Sequence, residues 1–490
     1  MTKTAATDNN GISIKPELLQ KLLWPVFAVY CLLVVMGVMN HESWADEAQA
    51  WLLARDNTPA AIIKILPDEG HPPFWYVPLY IMSHAGLPYE SMKWLAGIAM
   101  MLAAYLLMFR TRANIVLKLL IPFSYFFLYE YSLIGRSYSI AVLLSMLIIA
   151  LYEKRFEKPW LFALCVVALG NTHVITVGFA VAIMAVYVAD AVQYKKLSGK
   201  VYAAIAIMAM GLLYLLPYMS SSQMAPYYEK QVEQPSNHIK AAIGNALVAG
   251  NNSFIALAIF LALLVLLLKY TKPFFIAVCG IAGLFFVVAV AYESKIRHQG
   301  LMFIMLLVAY ILTDYYKNDK LNLRKISIPA ELYGSWLLAA TVLLQLSATF
   351  KSYKADNEKL FSGSKEVAEY LQDNMSDSTI VVAYQATSTL SVLPYMPKEL
   401  QFYYAECERY GTYYVYDTCF KKEIWMYPVD YAVKVAHDHF PDKLKDVIFL
   451  FNYPIQQQTQ KYLDLQYTTS ESTLLWDERF FVYKFKQGVK

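Results

Sequence analysis

Residues 22–39, LLWPVFAVYCLLVVMGVM, pass without one charged side chain, and residues 40–51, NHESWADEAQAW, break the run with acids and tryptophans. A helix needs ~20 apolar residues to cross the hydrocarbon of a bilayer, and the first stretch is of that length. Lys15 and Lys21 precede it and no small-residue cleavage site follows, so it reads as a retained helix with a cytoplasmic N-terminus.

Further apolar runs lie near 92–109, 115–132, 134–152, 159–170, 172–190, 201–219, 253–268, 274–292, 300–316 and 330–350. Hydrophobic residues are 58% of the 490 and charged ones 16%, a proportion that a soluble chain cannot hide. The net charge of +4 gives no reason to expect a nucleic-acid partner, so charge matters here by location. With the N-terminus inside and a hairpin at Asn171, inner loops and the N-terminal tail hold 18 basic residues, among them Arg112, Arg155, Lys196 and Lys272. Outer loops hold eight, among them Arg55, Lys93, Arg136 and Arg297, in keeping with the positive-inside rule. The expected fold is a polytopic all-α transmembrane bundle of about eleven helices over 1–350, and the odd count places the C-terminus outside.

From Lys351 the composition turns polar. A helix at Ser364–Asn374 alternates with short strands at Thr379–Tyr384, Asp446–Phe451 and Phe480–Phe485, which predicts an extracytoplasmic α/β domain over 351–490. Its cysteines, Cys407 and Cys419, are expected to pair in an oxidising compartment, whereas Cys31, Cys165 and Cys279 sit in apolar runs as core residues. The outer loops 40–91 and 220–252 are too long for mere connectors. The first, rich in Trp, Tyr and Pro, is expected to be ordered at the membrane surface in a multi-pass protein of the plasma or inner membrane.

Five clusters carry the chemistry, all at outer loop ends. Asp46 and Glu47 open a helical stretch, about 100° apart on its surface, so one faces the bundle while the other caps the helix or binds a cation. Glu69 and His71 lie against the rigid Pro72-Pro73 turn, with aromatics that a membrane-interface belt also explains. Glu130, Arg136 and Tyr138 form a third group, in which Glu130 and Arg136 make a structural pair on the plain reading. His173 stands at the Asn171 hairpin, where a lone histidine is more often structural. Lys295, Arg297 and His298 crowd the start of a helix, where cations oppose the dipole unless an anion lies between them. Ionisable groups near the bilayer midplane, expected of an ion-driven transporter, are not evident in the apolar runs. A carboxylate base, cations for a phosphate leaving group and aromatics for a sugar ring together read as a glycosyl-transfer site on a substrate that arrives through the lipid.

At these residues the chain resembles the GT-C superfamily of integral-membrane glycosyltransferases, in particular protein O-mannosyltransferases and lipid A aminoarabinose transferases. The resemblance covers most of the chain in layout and rests on Asp46-Glu47, the His71-Pro72-Pro73 turn, Arg136 with Tyr138, His173 and Arg297-His298. It implies that Asp46 or Glu47 is the base, and that Arg297, with His71 or Arg136, holds the phosphate of a polyprenyl-phosphate sugar. His298 joins them as a donor-phosphate candidate; Glu69, Tyr138, His173 and Lys295 are further candidates. The acceptor is a lipid, a glycan or a protein. A divalent cation, Mg or Mn, on Asp46 or Glu47 is the one cofactor the pattern leaves open. No Trp-Trp-Asp sequence and no Gly-rich phosphate loop occurs, which disfavours oligosaccharide transfer to asparagine and a nucleotide-sugar donor. A transporter, an assembly scaffold and a GT-C polysaccharide polymerase or ligase are the competing readings.

Overall fold

The computed structural model describes residues 16–219, 235–250, 253–290, 295–323, 328–415, 429–455, 462–471 and 473–486. The run that opens the chain folds as helix α1 (Leu23–Asn40), and its burial shows how the bundle is assembled. Tyr30, Val34 and Val38, four residues apart, form one buried stripe, while Trp24, Val29, Leu32 and Met36 face outward. The stripe packs on α4 (Ser91–Arg110) at Gly97, where an added Cβ would stand 3.0 Å from Val38 Cγ2. Three short helices, α2 (Ala45–Asp56), α3 (Pro59–Glu69) and a further one at Tyr76–His84, fill the loop between them, so that loop is ordered as expected.

Next come Ile115–Phe123 and Tyr125–Leu133, bent by 53° where Ser124 is extended behind Pro122. Then follow α5 (Tyr138–Leu151), α6 (Pro159–Gly170), α7 (Val177–Gln193), α8 (Gly199–Leu213), α9 (Pro235–Val248), α10 (Ser253–Leu267), α11 (Thr271–Val290), α12 (Ile296–Thr313) and α13 (Ala330–Glu358). The Asn171 region is a hairpin between α6 and α7. Among the described residues, six helices are long and apolar enough to cross a membrane, or up to eight when each bent pair counts as one span. Two other apolar runs are helical but shorter: α6 has 12 residues, and the turn at 134–137, which presents Arg136, leaves α5 with 14. Helices approach closely at small residues, as where Gly178 of α7 meets Gly283 of α11. α12 is buried from His298 to Thr313 and forms the axis of the bundle.

At the end of the bundle away from residues 41–47, Lys272 Nζ lies 2.7 Å from both Asp190 and Asp319, and Arg155 lies 2.8 Å from Asp190. Arg155 and Lys272, read above as loop cations, are thus buried in an ion network joining α7, α11 and two connections.

The C-terminal unit is a six-stranded sheet: β1 (Ile380–Ala383), β2 (Phe402–Tyr404), β3 (Arg409–Gly411), β4 (Val447–Phe451), β5 (Leu463–Thr468) and β6 (Phe481–Phe485), in the order β3-β2-β1-β4-β6-β5. β1 pairs in parallel with both β2 and β4, and the other pairings are antiparallel. β4 is buried along its whole length, which accounts for its unbroken Val-Ile-Phe-Leu-Phe. One face of the sheet packs with α14 (Ser364–Asn374) in the core that continues into the bundle; the other carries α15 (Val429–His439). The composition change at Lys351 falls inside α13, which runs out of the bundle to Glu358. Cys407 is disulfide-bonded, and Cys419 lies outside the described residues.

Candidate active site

Trp44 is extended, so the chain turns into α2 at Ala45, and Glu47 on the first turn accepts the Trp44 N–H at 3.2 Å. Its other oxygen accepts the Gly135 N–H at 2.6 Å. A side chain there would push the carboxylate off this bond, since an added Cβ would stand 2.6 Å from Glu47 Oε1. Glu47 is therefore fully enclosed, and one step along the helix Asp46 points elsewhere.

The Asp46 side chain keeps 36% of its exposure, and its Oδ2 meets Arg297 Nη2 at 2.5 Å. The Arg297 guanidinium lies over the Trp44 ring, 4.7 Å from its centroid, and Tyr131 donates to the Arg297 carbonyl at 2.7 Å. Arg136 donates from Nη1 to the Asp46 carbonyl and from Nη2 to His71 Nε2 at 3.3 Å. His71 Nδ1 in turn donates to the Glu69 carbonyl at 2.6 Å, and this pair of contacts assigns the tautomer. Burial raises the Asp46 pKa, but the Arg297 and Arg136 guanidiniums outweigh it and hold the carboxyl below its ordinary range. Burial, then Arg136, pushes His71 down to about 4, so its ring is neutral and serves to orient Arg136. Burial pushes the Glu69 carboxyl up to about 8, against the Gln49 amide that donates to it at 3.0 Å.

Rings close one side. His173 lies 5.2 Å from His71 and 5.3 Å from Tyr138, and His298 lies 5.5 Å from His173. His173 Nδ1 accepts the Ile175 N–H at 3.2 Å, which leaves the proton on Nε2. Among the described residues, His173 Nε2, Tyr138 Oη and Arg297 Nε are buried donors with no hydrogen-bond partner. Unpaired buried donors are costly, and three beside one carboxylate and two guanidiniums suit an anion. Lys295 is exposed, and its N–H donates to His298 Nδ1 at 3.0 Å. Beside His71, Pro73, Phe74 and Val77 line an apolar cleft of about 520 Å³ together with Leu144, Leu164 and Tyr214.

Asp46, Glu47, Glu69, His71, Arg136, Tyr138, His173, Arg297 and His298 thus converge from separate loop ends. The expected Glu130–Arg136 pair is replaced: Glu130 accepts from Tyr125 at 2.9 Å, because Arg136 is drawn to Asp46 and His71. Glu293 and Ser294 lie outside the described residues. No three His, Cys, Asp or Glu side chains converge as metal ligands among the described residues. A cation on Asp46 would compete with Arg297, and one on Glu47 with two backbone N–H groups.

Sequence reasoning missed four members. Gln49 bridges Glu69 to the Tyr414 backbone of the C-terminal unit, donating to its carbonyl at 2.7 Å and accepting its N–H at 2.8 Å. Glu478 accepts the Ala45 N–H at 2.8 Å, and burial pushes it up to about 8. His41 lies 2.8 Å from Asp356. No local pattern joins residues so far apart, and only the acid-and-histidine density of residues 41–47 hints at the network.

No protein-family model and no curated protein sequence matches the chain. Among solved structures it is similar to ArnT from Cupriavidus metallidurans bound to undecaprenyl phosphate, with a TM-score of 0.56 and 10% identity. The likeness covers 96% of this chain and 99% of ArnT. The chain shares the overall fold of ArnT. Coverage of this extent takes in the C-terminal sheet as well as the helical bundle.

Proposed function

We propose that the protein is an inverting glycosyltransferase that moves a sugar from a polyprenyl-phosphate donor to a lipid, glycan or protein acceptor on the extracytoplasmic face of the plasma or inner membrane. The observation that carries this is the convergence of the unpaired donors Arg297 Nε, Tyr138 Oη and His173 Nε2 beside Asp46 and Arg136. The donor phosphate sits against them, and the prenyl chain lies in the apolar cleft that begins at Pro73. The undecaprenyl phosphate bound to the ArnT fold supports the same donor class.

In this reading the acceptor hydroxyl or amine attacks the anomeric carbon, the bond to the phosphate oxygen breaks, and Asp46 takes the acceptor proton. Arg297 holds Asp46 in the resting site; when it turns to the negative charge growing on the leaving phosphate, Asp46 becomes a stronger base at the moment a proton must be removed. Arg136 keeps its grip on the Asp46 carbonyl throughout. Glu47, enclosed and bonded to backbone, supports the site from behind.

The test uses purified protein in nanodiscs, a labelled polyprenyl-phosphate hexose and an envelope extract as acceptor source. Asp46→Asn should abolish transfer while undecaprenyl phosphate still binds, and Arg297→Ala should weaken both, with turnover lower by ~10²–10³. Near-wild-type transfer by Asp46→Asn would move the base elsewhere, and Glu69 would be the next candidate.

A further inference from the structure

Behind Asp46 lies a second set of charges that the transfer chemistry does not touch. His41 is buried at the exit of α1, with Nδ1 2.8 Å from Asp356 Oδ2 and Nε2 3.7 Å from Glu47 Oε2. Asp356 belongs to the end of α13, where that helix leaves the bundle. The two exits are stapled again by the Asn40 amide, which donates to Asn357 Oδ1 at 2.5 Å, and Lys93 donates to the His41 carbonyl. Glu47 then reaches two places at once: the Trp44 N–H, at the cap of α2 and beneath Arg297, and the Gly135 N–H, at the start of the turn that presents Arg136.

We infer that His41 and Asp356 are positioning residues for the transfer, acting through Glu47 to fix Asp46, Arg136 and the Trp44 platform together. The inference rests on Asp46 being the base. Its physical ground is charge order. Along Asp356, His41 and Glu47, and again along Arg136, Asp46 and Arg297, opposite charges alternate. A buried carboxylate needs a partner that stays charged. Burial favours the neutral imidazole, yet Asp356 foremost and Glu47 raise His41 to about 10, so it supplies that charge across the physiological range. Without it Glu47 loses its hold on one backbone N–H or the other, and either loss displaces a member of the site. Misplacement by about 1 Å costs on the order of 10² in rate.

Asp356→Asn removes the charge but keeps the shape. It should lower kcat about a hundredfold while the Kd for undecaprenyl phosphate stays within about threefold of wild type. Asp356→Glu restores the charge and should recover part of kcat, which guards against a simple folding defect. Combined with Glu47→Gln, Asp356→Asn should cost little more than the worse single change, because both act through one network. The inference fails if folded Asp356→Asn turns over like wild type, if Asp356→Glu recovers nothing although folded, or if the two changes are additive. A wild-type protein that neither binds undecaprenyl phosphate nor transfers sugar would sink the functional reading itself, which is a different result.

Discussion

Asp46 and Glu47 are the same chemistry one position apart, and the helix separates their fates. The carboxylate that finds two backbone N–H groups is enclosed, and the one that meets the Arg297 guanidinium stays partly exposed. Glu69 illustrates a third environment, a buried carboxyl whose pKa burial lifts to about 8. It holds a proton in the fold that it has lost in the unfolded chain above about pH 4.5, the ordinary value for Glu. The folded state binds more protons in that window, so the stability contributed by this group falls as pH rises from about 4.5 towards 8. Glu69→Gln, which mimics the protonated form, should escape that loss. Thermal melts of both proteins from about pH 5 to 8 should show the variant's relative advantage growing with pH. An advantage independent of pH would mean that Glu69 is already ionised.

At the scale of elements, the site is made by ends. α12 runs enclosed through the bundle and delivers Arg297 on its first turn, while the bend behind Pro122 and the short α5 deliver Arg136 and Tyr138. Such ends are held in register from the far side, where Asp190 of α7 binds both Arg155 and Lys272 of α11. Removing the shared acid would leave two buried cations without it, and breaking a buried pair costs ~3–5 kcal/mol. Asp190→Ala should therefore lower the melting temperature in detergent well beyond an exposed control such as Glu358→Ala. An equal melting point would show that the network contributes no stability.

Over the whole molecule, the end of the bundle that carries the candidate site is covered by a sheet unit tied on by Glu478, Gln49 and Asp356. The proposed orientation puts this unit on the extracytoplasmic side. A cysteine introduced at Lys354, which is exposed, should react in intact cells with an impermeant thiol reagent, and one at Lys320 should not. The reverse pattern would turn the protein over.

What the amino-acid order determined by itself is what depends on neighbours in the chain. Apolar runs must become helices because a membrane leaves backbone groups no other partner, and Ser364–Asn374 has a helix's period. His71-Pro72-Pro73 forms a fixed turn, and acids beside a helix start announce a cap. Even the nine loop-end residues could be gathered from sequence, because each lies in a connection between apolar runs or at the edge of one. Which of them touch was decided only in three dimensions. Arg297 is 251 positions from Asp46 and chooses it, Arg136 passes over Glu130 for His71, and Asp356 reaches His41 across 315. Each choice follows from which charges packing leaves without water, and packing of distant helix ends has no period to read along the chain.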